Sequence, residues 1–88
     1  MDEKELVKVL EQQGFGHTYV WQDEPDAFYP THTHEAETVH IILRGEMTLT
    51  MDGRSETYRA SARCDVPAGA AHSAKMGPSG CRYLIGER

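Results

Sequence analysis

Two histidine-containing segments lie far apart in this 88-residue chain and have to be brought together by whatever fold it adopts. The first is His32-Thr33-His34, and the second, about forty residues later, runs from Pro67 through Gly69 to His72. Side chains at positions i and i+2 of an extended strand point to the same face, so His32 and His34 can hold one metal ion side by side. A third imidazole delivered by the Pro-Ala-Gly turn would close the site. The alternative for the first pair alone is two surface histidines in a polar stretch.

The order and spacing of these segments resemble the two sequence motifs of the cupin family. The first cupin motif has H-x-H, an acidic residue, a short apolar strand and a glycine, as in residues 32–45, and the second has P-x-G-x-x-H, as in residues 67–72. The resemblance covers roughly residues 29–86. It implies an all-β fold, a small cupin-type β-barrel of the jelly-roll kind, with one divalent transition metal (Zn, Fe, Mn, Ni or Cu). The metal ligands expected from the matching positions are His32, His34 and His72.

The chain departs from the family pattern at the position of the usual carboxylate ligand. That position holds Thr38, and Glu37 comes one residue too early, so on a regular strand it points away from the site. Glu37 reaches the metal only if a β-bulge shifts the register. The second motif departs too, with Ser61 in place of its opening glycine and Met76 in place of its closing asparagine.

His40 shares a strand face with Thr38 and is therefore expected to point into the barrel. It can act as a fourth ligand, as a group behind the ligands or as an acid or base in the pocket. A residue two positions further along a strand is displaced by about 6–7 Å, which strains direct coordination. We therefore expect His40 and Thr38 to be pocket residues, and His17 to lie in a surface loop. Other pocket or core candidates are aromatic and aliphatic: Trp21, Tyr29, Ile42, Met47 or Met51, and Tyr83.

Local patterns along the chain predict one short helix followed by strands. Asp2 can cap a helix, apolar residues recur at helical spacing, and Gly14 is a plausible stop, so residues 1–14 are the predicted helix and 18–86 the barrel of a single domain, 1–88. From Gly16 onward, seven or eight short strands are expected, with Asp52-Gly53 as a hairpin turn and Val66 to Gly69 as a type I turn.

Composition limits the classes of partner. Nine Lys and Arg against fourteen Asp and Glu give a net charge of −5, which does not favour nucleic acid. No apolar run reaches membrane-spanning length, and the N-terminus does not resemble a signal peptide.

Cys64 and Cys81 form no C-x-x-C, so buried reduced thiols in a cytoplasmic protein are expected. Cys64 is near enough to the Pro-Ala-Gly turn to approach the metal. A chain this small gains stability from oligomerisation, and a homodimer is expected.

Two functions from different classes fit these residues. One is a metal-dependent enzyme, of dioxygenase, isomerase or hydrolase type, acting on a small polar metabolite. The other is a non-catalytic module that binds a metal or a small molecule. Three histidine ligands leave coordination positions open, as catalytic rather than structural sites do. The cupin fold hosts both classes, and a fold does not define a function.

Overall fold

The chain forms one helix and six strands in a computed structural model that describes residues 2–88. In chain order these elements are α1 (Glu3–Gln12), β1 (His17–Asp23), β2 (Phe28–His32), β3 (Thr38–Met51), β4 (Arg54–Arg59), β5 (Arg63–Val66) and β6 (His72–Glu87). This is the predicted all-β architecture with a short N-terminal helix.

Helix α1 starts and stops where the sequence predicts. Asp2 is the N-cap, and its Oδ1 accepts a hydrogen bond of 2.9 Å from the backbone N–H of Lys4. Gly14 ends the helix with φ +94°. The N–H of Phe15 then bonds back to the carbonyl of Leu10 at 3.0 Å, and both side chains are fully buried. This is a Schellman motif with its apolar contact, and it fixes the helix against the barrel.

Strand β6 is the centre of an entirely antiparallel sheet. It pairs with β1, β2 and β3, while β3 also pairs with β4 and β5. Because β3 and β6 are long, at 14 and 16 residues, each bends and contributes to more than one part of the barrel wall. Their shared register places Thr38 opposite Glu87 at one end and Met51 opposite His72 at the other.

The expectation of seven or eight short strands was wrong, because two glycine-containing segments bend strands without ending them. Gly45 adopts φ +80° within β3, beside register shifts in its pairing with β6. A Cβ at Gly45 would overlap the carbonyl oxygen of Gly80, which itself has φ +77° within β6. The two strands therefore cross at a point that only glycine permits, and pairing continues on both sides.

Two turns can be compared directly with their predictions. Asp52 and Gly53, with φ +54° and +73°, form the expected two-residue hairpin turn between β3 and β4. The turn after β5 lies one residue later than predicted and is of a different type. Its closing hydrogen bond runs from the N–H of Ala70 to the carbonyl of Pro67, with Gly69 third in the turn at φ +77°. His17 was expected in a loop but is the first residue of β1, where its side chain remains exposed.

The two faces of β3 separate the core under the helix from the barrel interior. Val39 and Ile41 pack with Leu10 and Phe15 of the helix region. The residues that alternate with these two, Thr38, His40 and Ile42, face the barrel interior. Ile42 packs there with Met47, Met76 and Tyr83. Helix α1, the one helix in residues 2–88, is not long and apolar enough to cross a membrane.

Candidate metal centre

Three histidines from three places in the chain meet at one end of the barrel. His32 ends β2, His34 lies in the loop just after it, and His72 begins β6 directly opposite His32. One potential ligand nitrogen from each lies within 4.8 Å of the others. His72 is buried, His32 is half-buried and His34 is more open to solvent. The structure therefore brings together the three residues predicted from the sequence.

Hydrogen bonds to backbone carbonyls fix two of these rings through Nδ1, so Nε2 is the nitrogen that can bind a metal. His32 Nδ1 lies 2.6 Å from the carbonyl oxygen of Pro30, and His72 Nδ1 lies 2.9 Å from that of Ala70. A carbonyl only accepts, so each Nδ1 is the protonated donor and each Nε2 carries a lone pair. Backbone carbonyls commonly orient metal-binding histidines in this way.

The distance between two of the ligand atoms agrees with a transition-metal site. His32 Nε2 and His34 Nε2 are 3.1 Å apart. Two nitrogens at typical zinc bond lengths are separated by about 3.3 Å in a tetrahedral shell. The donor set thus fits a divalent transition metal, with small ring rotations bringing the nitrogens to one ion.

Burial and neighbouring imidazoles favour the neutral form of His34 and His40. Burial lowers the pKa of His34, and His32 and His72 lower it further. Burial lowers the pKa of His40 to about 4, with His72 and His34 contributing in the same direction. At neutral pH these imidazoles therefore offer lone pairs and N–H donors rather than charge.

Thr38 and His40 point inward as strand parity predicts. Both line the cavity beside the histidine cluster, and Thr38 is only 2% exposed. Thr38 Oγ1 and His40 Nδ1 are buried and have no hydrogen-bond partner among residues 2–88. His40 is not part of the group of candidate ligand atoms, and its ring instead packs against Tyr83, with centroids 5.7 Å apart.

Glu37 lies outside the site, as expected without a register shift. Its two carboxylate oxygens accept hydrogen bonds of 3.0 and 3.1 Å from the guanidinium of Arg88. The backbones of the same two residues are joined by two further hydrogen bonds. The same guanidinium also donates to the carbonyl of Gln13 and lies over the Phe15 ring. Glu37 therefore anchors the loop that follows His34.

A cavity of about 280 Å³ opens next to the histidines. Of the pocket candidates from the sequence, Trp21, Tyr29, Met47 and Tyr83 line it, whereas Ile42 and Met51 do not. Lys and Arg are missing from this lining, so histidines and Glu87 are its only titratable groups apart from the tyrosines. Cys64 is buried between Leu49 and Val66 and belongs neither to the lining nor to the candidate ligands.

Sequence reasoning missed a buried carboxylate behind the aromatic wall of the cavity. Asp23 is 8% exposed and accepts hydrogen bonds from Trp21 Nε1 at 3.0 Å, the Tyr29 hydroxyl at 2.5 Å and the Tyr83 hydroxyl at 2.6 Å. Burial and Asp23 both raise the pKa of Tyr83, and Asp23 is the largest cause of the raised pKa of Tyr29. Both phenols are therefore protonated donors to Asp23. The only signal in the sequence was the shared strand parity of Trp21 and Asp23.

Glu87 is the second residue that sequence reasoning missed. It is the last residue of β6, shares the inward face with Tyr83 and Ile85, and lines the cavity. The hydroxyl of Tyr19 donates to its Oε2 at 3.3 Å. Its parity with Tyr83 and Ile85 was the available signal.

Comparison with solved structures identifies the fold. The chain is similar to the DMSP lyase DddQ of Ruegeria pomeroyi, with 26% identity and a TM-score of 0.74 over 81% of this chain and 36% of that one. An RmlC-like cupin from Shewanella frigidimarina matches with 21% identity and a TM-score of 0.72, over 80% of this chain and 62% of that one. A cupin superfamily protein from Desulfitobacterium hafniense matches with 18% identity and a TM-score of 0.72, over 80% and 63% of the two chains.

This protein has the cupin fold, as its two histidine motifs predicted. Its chain spans about a third of the lyase and a little under two thirds of the other two proteins. No protein-family model matches the sequence, and no curated protein matches it. The fold and the histidine cluster together define a small cupin-fold protein whose three histidines are positioned to hold a metal.

Proposed function

We propose that this protein binds one divalent transition metal through His32, His34 and His72 and uses the adjoining cavity to bind a small polar molecule. The observation that carries this proposal is the orientation of the rings. The backbone carbonyls of Pro30 and Ala70 hold two of them through Nδ1, which leaves Nε2 as the metal-binding nitrogen. One ligand atom from each of the three histidines lies within 4.8 Å of the others. Metal-binding histidines are generally oriented by such hydrogen bonds.

The cavity supports ligand binding next to the metal. Its volume of about 280 Å³ is at the lower end for small-molecule sites, which favours a small metabolite. The unpartnered Thr38 Oγ1 and His40 Nδ1 are buried polar atoms without hydrogen bonds, and such atoms are rare unless a ligand or water satisfies them. A polar ligand would therefore find hydrogen-bond partners on β3 and a metal held by β2, the loop after it and β6.

Between the two classes of function, we favour the enzyme. Three histidine ligands leave open positions, and a bound metal would supply Lewis-acid or redox chemistry there. The chain's own contribution is to orient the ligand through Thr38 and His40 and to keep the His40 imidazole neutral. The similarity to a DMSP lyase, an enzyme by its name, supports this choice. The alternative is a non-catalytic binding module with the same metal site.

Metal analysis tests the proposal most directly. Protein purified without a histidine tag should contain close to one equivalent of a transition metal, and His72→Ala should lose it. The matched control is His17→Ala, which removes an exposed histidine of β1 outside the cluster. If His72→Ala retains the wild-type metal content, the assigned site is wrong. A thermal-shift screen of small metabolites on metal-loaded protein and on His72→Ala would then identify metal-dependent ligands.

We also propose that the protein is a homodimer in a reducing, cytoplasmic compartment. Trp21 of β1 and Phe28 of β2 are 51% and 61% exposed, and within the described chain each of these two strands pairs only with β6. A second copy would cover such an edge and its apolar side chains. Cys64 and Cys81 are both buried free thiols, which agrees with a reducing environment. Sedimentation that shows a monomer at high micromolar concentration would contradict the dimer.

A further inference from the structure

We infer that Glu87, from the end of β6, supplies the carboxylate ligand that the metal site lacks at Thr38. This inference rests on the proposed metal site and extends it by one residue from a different strand. It concerns a position that neither histidine motif contains. The register, the charges around Glu87 and the unpartnered hydroxyl of Thr38 each support it.

The sheet register places Glu87 directly beside the position of the missing carboxylate. Thr38 and Glu87 are opposite each other in the antiparallel pair of β3 and β6. Directly opposed residues have Cβ atoms about 4.5–5.5 Å apart and project from the same face of a sheet. Both residues line the cavity beside the histidines. A glutamate side chain that begins on β6 can therefore enter the space that a longer side chain at position 38 would occupy.

Glu87 faces the same cavity as the three histidines, and no Lys or Arg of the described chain lines that cavity. None of the ion pairs within residues 2–88 involves Glu87. Its hydrogen bond to the hydroxyl of Tyr19 is long, at 3.3 Å. This carboxylate is thus half-buried, weakly held and free of a competing cation.

The carboxylate that precedes Thr38 in the chain is already engaged. Glu37 forms a bidentate pair with Arg88, and bidentate arginine–carboxylate pairs are the stronger and more specific kind. It lies on the far side of the strand from Thr38. Glu87 is therefore the carboxylate available to the metal, because it is the one Asp or Glu among the described residues that line the cavity.

The hydroxyl of Thr38 has a role in the same arrangement. Its Oγ1 is buried and donates to no group in the described chain. Glu87 is not among the atoms already within 4.8 Å of the histidine nitrogens, so coordination requires its side chain to rotate away from Tyr19. In that rotamer one carboxylate oxygen binds the metal and the other accepts the Thr38 hydroxyl. Metal-bound carboxylates are themselves usually hydrogen-bonded in this way.

The test is a titration of metal-free protein with Zn²⁺ against a competing chelator. Glu87→Gln should weaken Zn²⁺ binding by about 10- to 100-fold, the range seen when a group that supports a metal site is lost. Glu24→Gln removes the same charge from an exposed turn and should leave the affinity unchanged, as should Glu37→Gln if it only anchors its loop. In Co²⁺-loaded protein, Glu87→Gln should also change the visible absorption spectrum, because that spectrum reports the ligand set.

Three further variants separate a ligand from a merely structural residue. Adding Thr38→Glu to Glu87→Gln should restore the affinity by returning a carboxylate to the same space. Thr38→Val should weaken binding in the natural protein and have no further effect in Glu87→Gln, because the two side chains act together. Tyr19→Phe releases Glu87 and should leave Zn²⁺ binding equal or tighter, whereas a structural hydrogen bond would make it weaker.

The outcomes for the metal site and for Glu87 can be told apart. If His72→Ala loses metal while Glu87→Gln binds Zn²⁺ like the natural protein, the histidine site stands and the inference is overturned. If His72→Ala keeps its metal, the proposed function itself fails. Thermal unfolding of each metal-free variant shows whether a loss of affinity follows from unfolding. If Glu87→Gln does not fold, Thr38→Val is the deciding variant. An unchanged Zn²⁺ affinity in Thr38→Val would then overturn the inference.

Discussion

The carbonyl oxygen of His34 accepts a hydrogen bond of 2.9 Å from the backbone N–H of Gly69. This bond joins the loop that carries His34 to the turn that precedes His72. The two histidine segments are about forty residues apart in sequence, and this is a direct backbone link between them. The turn itself depends on Gly69, whose φ of +77° suits glycine far better than any residue with a side chain.

We expect Gly69→Ala to weaken metal binding as well as stability. An added Cβ meets no atom within 4 Å, so the cost comes from the backbone conformation, about 1–2 kcal/mol. Gly53→Ala is the matched control, because Gly53 has φ +73°, equally open surroundings and a place in the hairpin turn away from the histidines. Urea unfolding of metal-free protein should show similar losses for both variants, and Zn²⁺ titration should show a loss for Gly69→Ala alone. Equal Zn²⁺ affinities would mean that the turn does not position the site.

The residues whose roles are local or carried by a motif were predictable from the sequence. Asp2 and Gly14 end the helix through short-range hydrogen bonds, and Asp52-Gly53 makes its turn by its own backbone preferences. The three clustered histidines were also found, because their spacing matches a family pattern. The count of strands was wrong for a physical reason. A glycine in a strand indicates a break when read locally, but Gly45 is held in the sheet by its crossing with Gly80.

Residues whose roles depend on distant partners were not predictable. Asp23 stands directly before Glu24-Pro25-Asp26, and nothing in this local sequence indicates burial. It is nevertheless buried, because Tyr83, sixty positions away, donates a hydrogen bond to it. Glu87 is similar, since its proximity to Thr38 follows from the β3–β6 register. Strand pairing over such distances is set by the whole fold rather than by local sequence.

Asp23→Asn should destabilise the barrel without removing metal. The Asp23 carboxylate accepts three hydrogen bonds, and asparagine replaces one of its two oxygens with an NH2 donor. At least one of the three donors then loses its acceptor, at a cost of about 1–3 kcal/mol. Asp26→Asn is the control, because Asp26 is exposed and its φ of +60° is well tolerated by asparagine. Denaturant unfolding should show a change within about 0.5 kcal/mol for the control. A similarly small change for Asp23→Asn would mean that the hydrogen bonds seen around Asp23 contribute little.

Stability of the metal-free protein should fall on acidification between pH 6.5 and about 4, in part through His40. Its pKa in the folded state is lowered to about 4 from an ordinary value of 6.5, so the unfolded chain binds the additional proton across this range. The neutral buried ring therefore contributes fully above pH 6.5, and the contribution of about 3 kcal/mol is lost as the pH falls to 4. Urea unfolding in the presence of EDTA should show a shallower pH dependence for His40→Gln than for the natural protein. Parallel pH profiles would show that His40 is not the group responsible.

His40→Ala should keep its metal but lose ligand binding in the cavity. The side chain lies two residues beyond Thr38 on β3, a displacement of about 6–7 Å, and it is not among the candidate ligand atoms. Its ring packs against Tyr83, and its Nδ1 has no partner in the described chain, which makes it available to a bound molecule.

Zn²⁺ titration of His40→Ala, Thr38→Glu and the double variant measures whether His40 contributes to metal affinity. A compensating ligand at His40 predicts loss of metal in His40→Ala and its rescue by Thr38→Glu. A pocket residue predicts wild-type affinity in His40→Ala, together with loss of the thermal shift caused by any metabolite that stabilises the natural protein. We expect the second result, because the orientation of His32 and His72 by backbone carbonyls is independent of β3.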